Sequence, residues 1–270
     1  MQIEEFENYL KIHIDSKNTR KQYLSRMKMF FNIYGEFTQT TVNTFLASLI
    51  DKEKKPNTFN GYMNALKQYT KFIKLDLEFP KQKKPEELDL PFLTMFEMEN
   101  EILPYFKHIF KQCRIRKLIF RLLFTSGMRP FELLNLKKSG LDYKDGFIFI
   151  SKTKNKKSRM TLLAPSLQAD LKYQCEQSTT EYVFNVSESF IETMFTTLRK
   201  QLNYKKHLHP YILRHSFANH CVEQGITEFP LQKYMGHANI IMTMRYVKKK
   251  QTKEDIKKGN KIFKFKKGEK

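Results

Sequence analysis

The segment Phe79-Pro80-Lys81-Gln82-Lys83-Lys84-Pro85 carries two prolines and three lysines and has no helical periodicity. Proline lacks a backbone donor and disrupts helix interiors, so the chain on either side must fold as separate runs. With 270 residues there is enough chain for two bodies, each burying its own core. The break predicts a helical domain over 1–78, an exposed basic linker over 79–91, a larger domain over 92–250 and a basic tail over 251–270.

Before the break, four runs read as helices. Phe6, Tyr9, Leu10 and His13 fall at helical spacing and stop near Asp15-Ser16. Tyr23, Leu24, Met27, Phe30 and Phe31 share one face, with Asn18-Thr19 as the expected N-cap and Gly35 as the stop. A third run from about Thr40 carries Val42, Phe45, Leu46 and Leu49. A fourth opens at Pro56-Asn57 and carries Phe59, Tyr62, Met63, Leu66, Tyr69, Thr70 and Ile73. Together they predict a small bundle with an aromatic core.

Beyond residue 92 helices return with one interruption. Ile115 to Ser126 is a strongly apolar helix closed by Gly127, and a second helix runs from Pro130 to about Leu136. Leu141-Asp142-Tyr143, the pair Asp145-Gly146, Phe147 to Ile150, a lysine-rich turn and Arg159 to Leu163 read as a three-stranded meander, because Asp-Gly between apolar runs is a strong hairpin signal. Helices resume from Pro165. The expected fold class is mainly α with a small three-stranded antiparallel sheet, in two domains.

Lysine and arginine number 49 against 28 acidic residues, a formal net charge of +21. The surplus is unevenly placed: residues 1–80 carry 12 basic and 9 acidic residues, 81–246 carry 26 and 16, and 247–270 carry 11 and 3. An excess concentrated outside the bundle points to a polyanion, most simply nucleic acid. Cys113, Cys175 and Cys221 are odd in number and far apart, so neither a disulfide framework nor a zinc site is read, and a reducing compartment fits. No run of 18 apolar residues occurs, and Glu4, Glu5 and Glu7 stand where a signal peptide would want lysine. A cytoplasmic protein is expected, with no membrane partner, cofactor or small-molecule substrate.

The residues that carry chemistry are far apart in sequence. Arg129 follows Gly127 and precedes Pro130, which places it at a helix start where an anion is favoured; Glu132, one turn on, is placed to hold its guanidinium. Alone, that pair reads as a surface ion pair worth under about 1 kcal/mol. Arg214 lies on a helix opened by Pro210 and closed by Gly225, flanked by core-like Leu213, Phe217, Ala218 and Val222. An arginine on such a face needs a partner, and phosphate suits its fork. Gly236 ends the next helix, His237 follows, and Asn239 caps a helix with Thr243 and Tyr246 one turn apart. Two guanidiniums, an imidazole and a phenol, with no obvious metal ligands, are equipment for gripping a phosphodiester and attacking it with tyrosine.

These motifs resemble, across nearly the full length, the tyrosine recombinases of the phage-integrase and Xer type. Gly127-Met128-Arg129-Pro130-Phe131-Glu132-Leu133-Leu134 resembles the family's first-arginine motif and Leu213-Arg214-His215 its second. Gly236-His237 with Thr243 and Tyr246 matches its terminal motif in type and spacing, and Asn57-Thr58-Phe59-Asn60 resembles the opening of the last helix of its core-binding domain. The resemblance implies a DNA recombinase or integrase in which Tyr246 forms a 3′-phosphotyrosine bond without ATP or metal, Arg129 and Arg214 stabilise the transition state, and His237 donates a hydrogen bond. It implies a catalytic lysine on the hairpin, Lys154 by alignment with Lys152 as the alternative. Lys81, Lys83 and Lys84 of the linker and Lys152, Lys156, Lys157 and Arg159 of the hairpin are expected on DNA. The implied partner is double-stranded DNA, with four protomers on paired sites.

One position departs from the pattern. Three residues before its second arginine the family usually has histidine; here it is Tyr211, a poor proton acceptor near neutral pH but a competent donor to phosphate. Two alternatives therefore stay open beside the recombinase: a catalytically weakened DNA-binding member and a type IB topoisomerase-like activity. No arm-binding segment precedes the bundle, so core sites alone are expected. Ile262-Phe263-Lys264-Phe265 in the tail is expected to act between protomers.

Overall fold

In this computed structural model, which describes residues 2–84, 90–151 and 158–247, the chain divides into two units between residues 89 and 90. The tail motif at Ile262 to Phe265 lies outside the described residues.

The first unit is the expected bundle: α1 (Gln2–His13), α2 (Lys17–Ile33), α3 (Gln39–Asp51) and α4 (Pro56–Ile73). Caps set the boundaries more sharply than periodicity does. Ser16, not Asn18, caps α2, its hydroxyl accepting from the Thr19 amide at 3.3 Å. Thr38 and Thr41 form a reciprocal capping box at the start of α3. Inside, Phe6, Phe30, Phe45, Phe59 and Tyr69 are fully buried. Their rings meet edge to face, Phe30 with Phe45 at 5.3 Å and Phe6 with Tyr69 at 5.1 Å, the arrangement that aligns ring edges with ring faces.

Residues 79–84, expected as an exposed linker, instead run along the bundle. Phe79 packs against its core. The Asn60 side chain reads the Lys83 backbone twice, donating to its carbonyl at 2.7 Å and accepting from its amide at 2.9 Å. The Lys83 ammonium lies 4.7 Å from the Phe59 ring centroid. One asparagine thus satisfies both polar groups of an otherwise unpaired backbone.

The second unit is built on α6 (Cys113–Ser126), preceded by the short α5 (Phe106–Ile109). Leu118, Ile119, Leu122 and Leu123 of α6 are buried in its core. Gly127 ends the helix at φ +61°, and a Cβ there would lie 2.3 Å from Phe217, so both backbone and packing require glycine. The chain then forms α7 (Pro130–Leu134) and the predicted meander of β1 (Leu141–Asp142), β2 (Phe147–Ile150) and β3 (Arg159–Leu162), ordered β1-β2-β3 and antiparallel. Ile150 stands opposite Arg159 in the register. The Thr161 hydroxyl donates to the Ser126 carbonyl at 2.6 Å, tying β3 to the end of α6. That bond brings the sheet beside Arg129.

Five helices follow: α8 (Gln168–Gln177), α9 (Glu188–Leu202), α10 (Pro210–Glu223), α11 (Glu228–Met235) and α12 (Ile241–Val247). Pro210 opens α10 and Gly236 closes α11 at φ +60°. The Asn239 side chain accepts from the Ile241 amide at 2.9 Å, capping α12 as expected. Away from these helix ends, buried Glu97 accepts from the Thr94 amide, the Tyr204 hydroxyl and the Lys206 ammonium at 2.8, 3.0 and 2.6 Å. No helix among the described residues is long and apolar enough to cross a membrane.

Candidate active site

Arg129 caps α7 from its first turn. Its backbone amide donates to Glu132 Oε2 at 2.8 Å, its Nη1 to Glu132 Oε1 at 2.9 Å and its Nη2 to the Gly236 carbonyl at 3.4 Å. Glu132 is only 1% exposed, and its second partner comes from the sheet: Arg159 Nη2 lies 2.7 Å from Oε2. Burial alone would raise the Glu132 carboxyl; hydrogen bonds and charge from Arg159, and then from Arg129, outweigh it and hold the group below its usual range. The carboxylate is therefore a fixed charge that aims two guanidiniums.

Arg214 is 4% exposed on α10. It donates to the carbonyls of Gly127, which caps the end of α6, and Met235, the last residue of α11, and forms no ion pair among the described residues. Burial, then the charges of Arg129 and Arg159, lower it to about 9. Carbonyl groups offer partial charge where the guanidinium has lost water, and they leave its positive charge uncompensated.

Gly236 lets α11 stop against these arginines. A Cβ there would sit 2.4 Å from Arg159 Cδ. His237 follows at once, half-buried, with Nδ1 at 2.8 Å from Thr243 Oγ1. Burial, followed by the Arg214, Arg129 and Arg159 charges, lowers His237 to about 3, so its imidazole is neutral at physiological pH. Tyr246, 7% exposed, stacks nearly parallel to that ring at 6.5 Å. Burial raises its phenol despite the opposing charges of Arg214 and Arg245. The Tyr246 hydroxyl lies 2.7 Å from His215 Nδ1 on α10.

Three guanidiniums, one carboxylate, two neutral imidazoles and a protonated phenol thus converge on loops and helix ends of the second unit. Against this geometry the sequence model of the phage integrase family matches residues 93–253. The chain belongs to that family. It is 30% identical over 256 residues to the tyrosine recombinase XerA of Thermococcus onnurineus (strain NA1), across 91% of this chain and 90% of that protein. Its fold is similar to a Tn1549 transposon integrase solved in complex with circular intermediate DNA, at 16% identity and a TM-score of 0.73 over 97% of this chain and 99% of that one. It is also similar to the XerH site-specific recombinase bound to difH substrate, at 18% identity and a TM-score of 0.71 over 98% and 95% of the two chains. Relatives spanning the chain are named tyrosine recombinases, enzymes of DNA strand breakage and rejoining.

Of the residues expected in a phage-integrase site, the structure gathers Arg129, Arg214, His237 and Tyr246. Lys154 and its alternative Lys152, with Lys156 and Lys157, lie outside the described residues. Arg159, expected on DNA, is a correction: it is buried, pairs with Glu132 and donates to the Tyr234 carbonyl, so its guanidinium is consumed internally. Its strand position alternates inward, a signal that the period of two in Arg159-Met160-Thr161-Leu162 already held. Tyr211 is 51% exposed on the first turn of α10, and its phenol makes no hydrogen bond among the described residues. His215, adjacent to Arg214, is the missed residue. Its contact with Tyr246 joins positions 31 apart, and no sequence spacing marks it.

The linker lysines part company as well. Lys81 and Lys84 are exposed, while Lys83 and Lys84 line a polar cleft of about 570 Å³ with Arg26, Asn57, Asn60 and Asn64 of the bundle.

Proposed function

We propose that this chain cleaves and rejoins duplex DNA through a covalent 3′-phosphotyrosine bond at Tyr246, using fixed protein charge in place of metal or ATP. One observation carries the reading: Arg129, Arg159 and Arg214 converge around the single carboxylate of Glu132, beside His237 and Tyr246. The surplus positive charge is desolvated, and a phosphodiester would neutralise it.

The chemistry derives from that charge. Tyr246 Oη forms a bond to phosphorus, and the bond to the 5′-oxygen breaks. Arg129 and Arg214 bind the non-bridging oxygens, whose charge grows as phosphorus becomes five-coordinate. His237 acts in the tautomer that carries its proton on Nε2, where it donates to the same phosphate; in that tautomer the Thr243 hydroxyl, 2.8 Å from Nδ1, is the donor between them. Lys154, or Lys152, protonates the leaving oxygen. The phosphotyrosine ester keeps the bond energy, so a 5′-hydroxyl from a second strand reverses the step and rejoins DNA. Arg159 acts at one remove, fixing the carboxylate that aims Arg129.

Each unit binds the duplex through its own basic face. On the bundle, the cleft lined by Arg26, Asn57, Asn60, Asn64, Lys83 and Lys84 mixes cations for phosphate with amides for base edges. Four protomers on paired sites would exchange strands, with the 251–270 tail acting between them, in the cytoplasm.

The decisive measurement is a covalent protein–DNA adduct on nicked suicide duplexes carrying a site that the protein itself selects from a random pool. The adduct is expected with the wild-type chain and absent with Tyr246→Phe. A second reading, a DNA-binding member with weakened catalysis, is favoured by exposed Tyr211, which leaves the usual histidine position without contact to the nucleophile. Tight, selective binding without any adduct would decide for it. Relaxation of supercoiled DNA without paired sites would instead mark a topoisomerase-like activity.

A further inference from the structure

The position that the family usually fills with histidine holds an exposed phenol here, yet the nucleophile does have an imidazole partner. His215 Nδ1 lies 2.7 Å from Tyr246 Oη, and the rings sit 5.9 Å apart at 39°. We propose that His215 is the proton acceptor for Tyr246, a role taken over from position 211 by a residue one helical turn further along α10. The proposal rests on the assignment of Tyr246 as nucleophile.

The geometry orders the protons. Burial, then the charges of His209, Arg214 and Arg245, keep His215 neutral, at about 4; Arg214 and His209 belong to α10 and its cap, and Arg245 faces it from α12. A neutral ring that accepts from the phenol at Nδ1 carries its own proton on Nε2. At rest the proton stays on Tyr246, whose phenol burial holds up. A bound phosphodiester changes both sides of that balance. Its negative charge offsets the guanidiniums that disfavour a proton on His215, and formation of the Oη–P bond makes the phenolic proton strongly acidic. In the forward step Oη bonds to phosphorus, its proton moves to Nδ1, and the 5′-oxygen leaves with a proton from the hairpin lysine. In rejoining, the 5′-hydroxyl attacks phosphorus and gives its proton back to the hairpin lysine, the bond from phosphorus to Tyr246 Oη breaks, and His215 returns the proton to Oη. No other reactant is needed.

Tyr211 lacks this geometry. It sits one turn N-terminal to His215, half-exposed, with no hydrogen bond to Tyr246 among the described residues.

The test is single-turnover cleavage of a nicked suicide duplex by the full chain. His215→Ala is expected to slow adduct formation by about 10²- to 10⁴-fold, the range for a positioned acid–base group. Duplex affinity should stay near wild type, and added imidazole should restore part of the rate. Wild-type cleavage should level off with rising pH, while the variant keeps climbing as hydroxide takes the proton. His215→Gln, which keeps polarity and volume but is a far weaker proton acceptor, should behave like His215→Ala and guards against a folding artefact. Cleavage within threefold of wild type in both variants overturns the proposal. So does faster cleavage, which would make the contact a resting restraint on Tyr246, and so does a loss confined to Tyr211→Phe. Absence of any wild-type adduct would instead sink the underlying reading of the enzyme.

Discussion

The bundle of α1 to α4 and the unit built on α6 hide different things from water. Among the described residues, the bundle buries aromatic rings and aliphatic chains with no charged side chain, its buried hydroxyls being those of Tyr69 and of Thr70, which donates to the Leu66 carbonyl one turn back. The second unit buries Glu97, Glu132, Arg159 and Arg214 as well. Burying a charge costs several kcal/mol per ion unless pairing offsets it, and replacing such pairs with hydrophobic residues often stabilises a fold. A core that retains them carries a cost that stability alone does not explain. Under the proposed function, one unit presents a surface, whereas the buried charges of the other supply the reagents.

Among substitutions that set the buried charges of one unit against the apolar core of the other, the largest effect should come from Arg214→Ala. Cleavage is expected to fall by about 10²- to 10³-fold, the scale for removing one donor aimed at transition-state charge, while duplex affinity changes far less. Arg129→Ala should behave alike. Equal losses of binding and cleavage would show that the arginines grip the ground state, and the contrast between reagent and scaffold would break.

Next in size are two truncations that test stability in each unit. Glu132→Ala leaves Arg159 buried without its partner and should cost about 3–5 kcal/mol by denaturant titration. Phe45→Ala in the bundle should cost about the same, through a cavity. The two differ in their effect on chemistry: Glu132→Ala should also slow cleavage in protein that remains folded, though by less than Arg214→Ala, whereas Phe45→Ala should leave the single-turnover rate on saturating DNA intact. Loss of chemistry in both would mean that the bundle shapes the site.

A smaller, graded effect is expected from acid. His215 and His237 are lowered to about 4 and about 3, against 6.5 when free, so below pH 6.5 the unfolded chain binds more protons and stability falls as pH drops. Glu97, whose hydrogen bonds from Lys206, Thr94 and Tyr204 outweigh its burial and lower it to about 2, adds loss between about pH 4.5 and 2. Both windows belong to the second unit. Hydrogen exchange resolved along the chain should therefore show protection fading there first, and fading first in α1 to α4 would contradict the assignment.

The smallest effect is a surface one. Lys84→Ala should weaken duplex binding modestly and reduce the slope of log affinity against log salt by about 1 if it meets a phosphate. An unchanged slope would rule out the polar cleft as the DNA-binding face proposed for the bundle.

Much of the fold and the site is legible along the chain. The four helices of the bundle announce themselves because each repeats aromatic or aliphatic residues at helical spacing and buries that face. The meander is marked by Asp145-Gly146, where Gly146 takes φ +71°. Arg129, Arg214, His237 and Tyr246 can be picked out because ordered motifs carry them. Glu132 can be assigned to Arg129 because the two lie one turn apart. Residues 79–84 could not be placed, since the hydrogen bonds that hold Lys83 come from Asn60, a residue that looks like any other polar position on α4.

The sequence by itself determined the elements and marked Arg129, Arg214, His237 and Tyr246 as candidates, because helical period, turn chemistry and motif order are local properties written along the chain. Only the tertiary structure decided the partners. Arg159 left the expected DNA surface for Glu132 because β3 is fastened to the end of α6, and His215 met Tyr246 because α12 packs on α10. Which imidazole touches Tyr246, and which arginine is spent inside, depends on distances between elements that no spacing along the chain encodes.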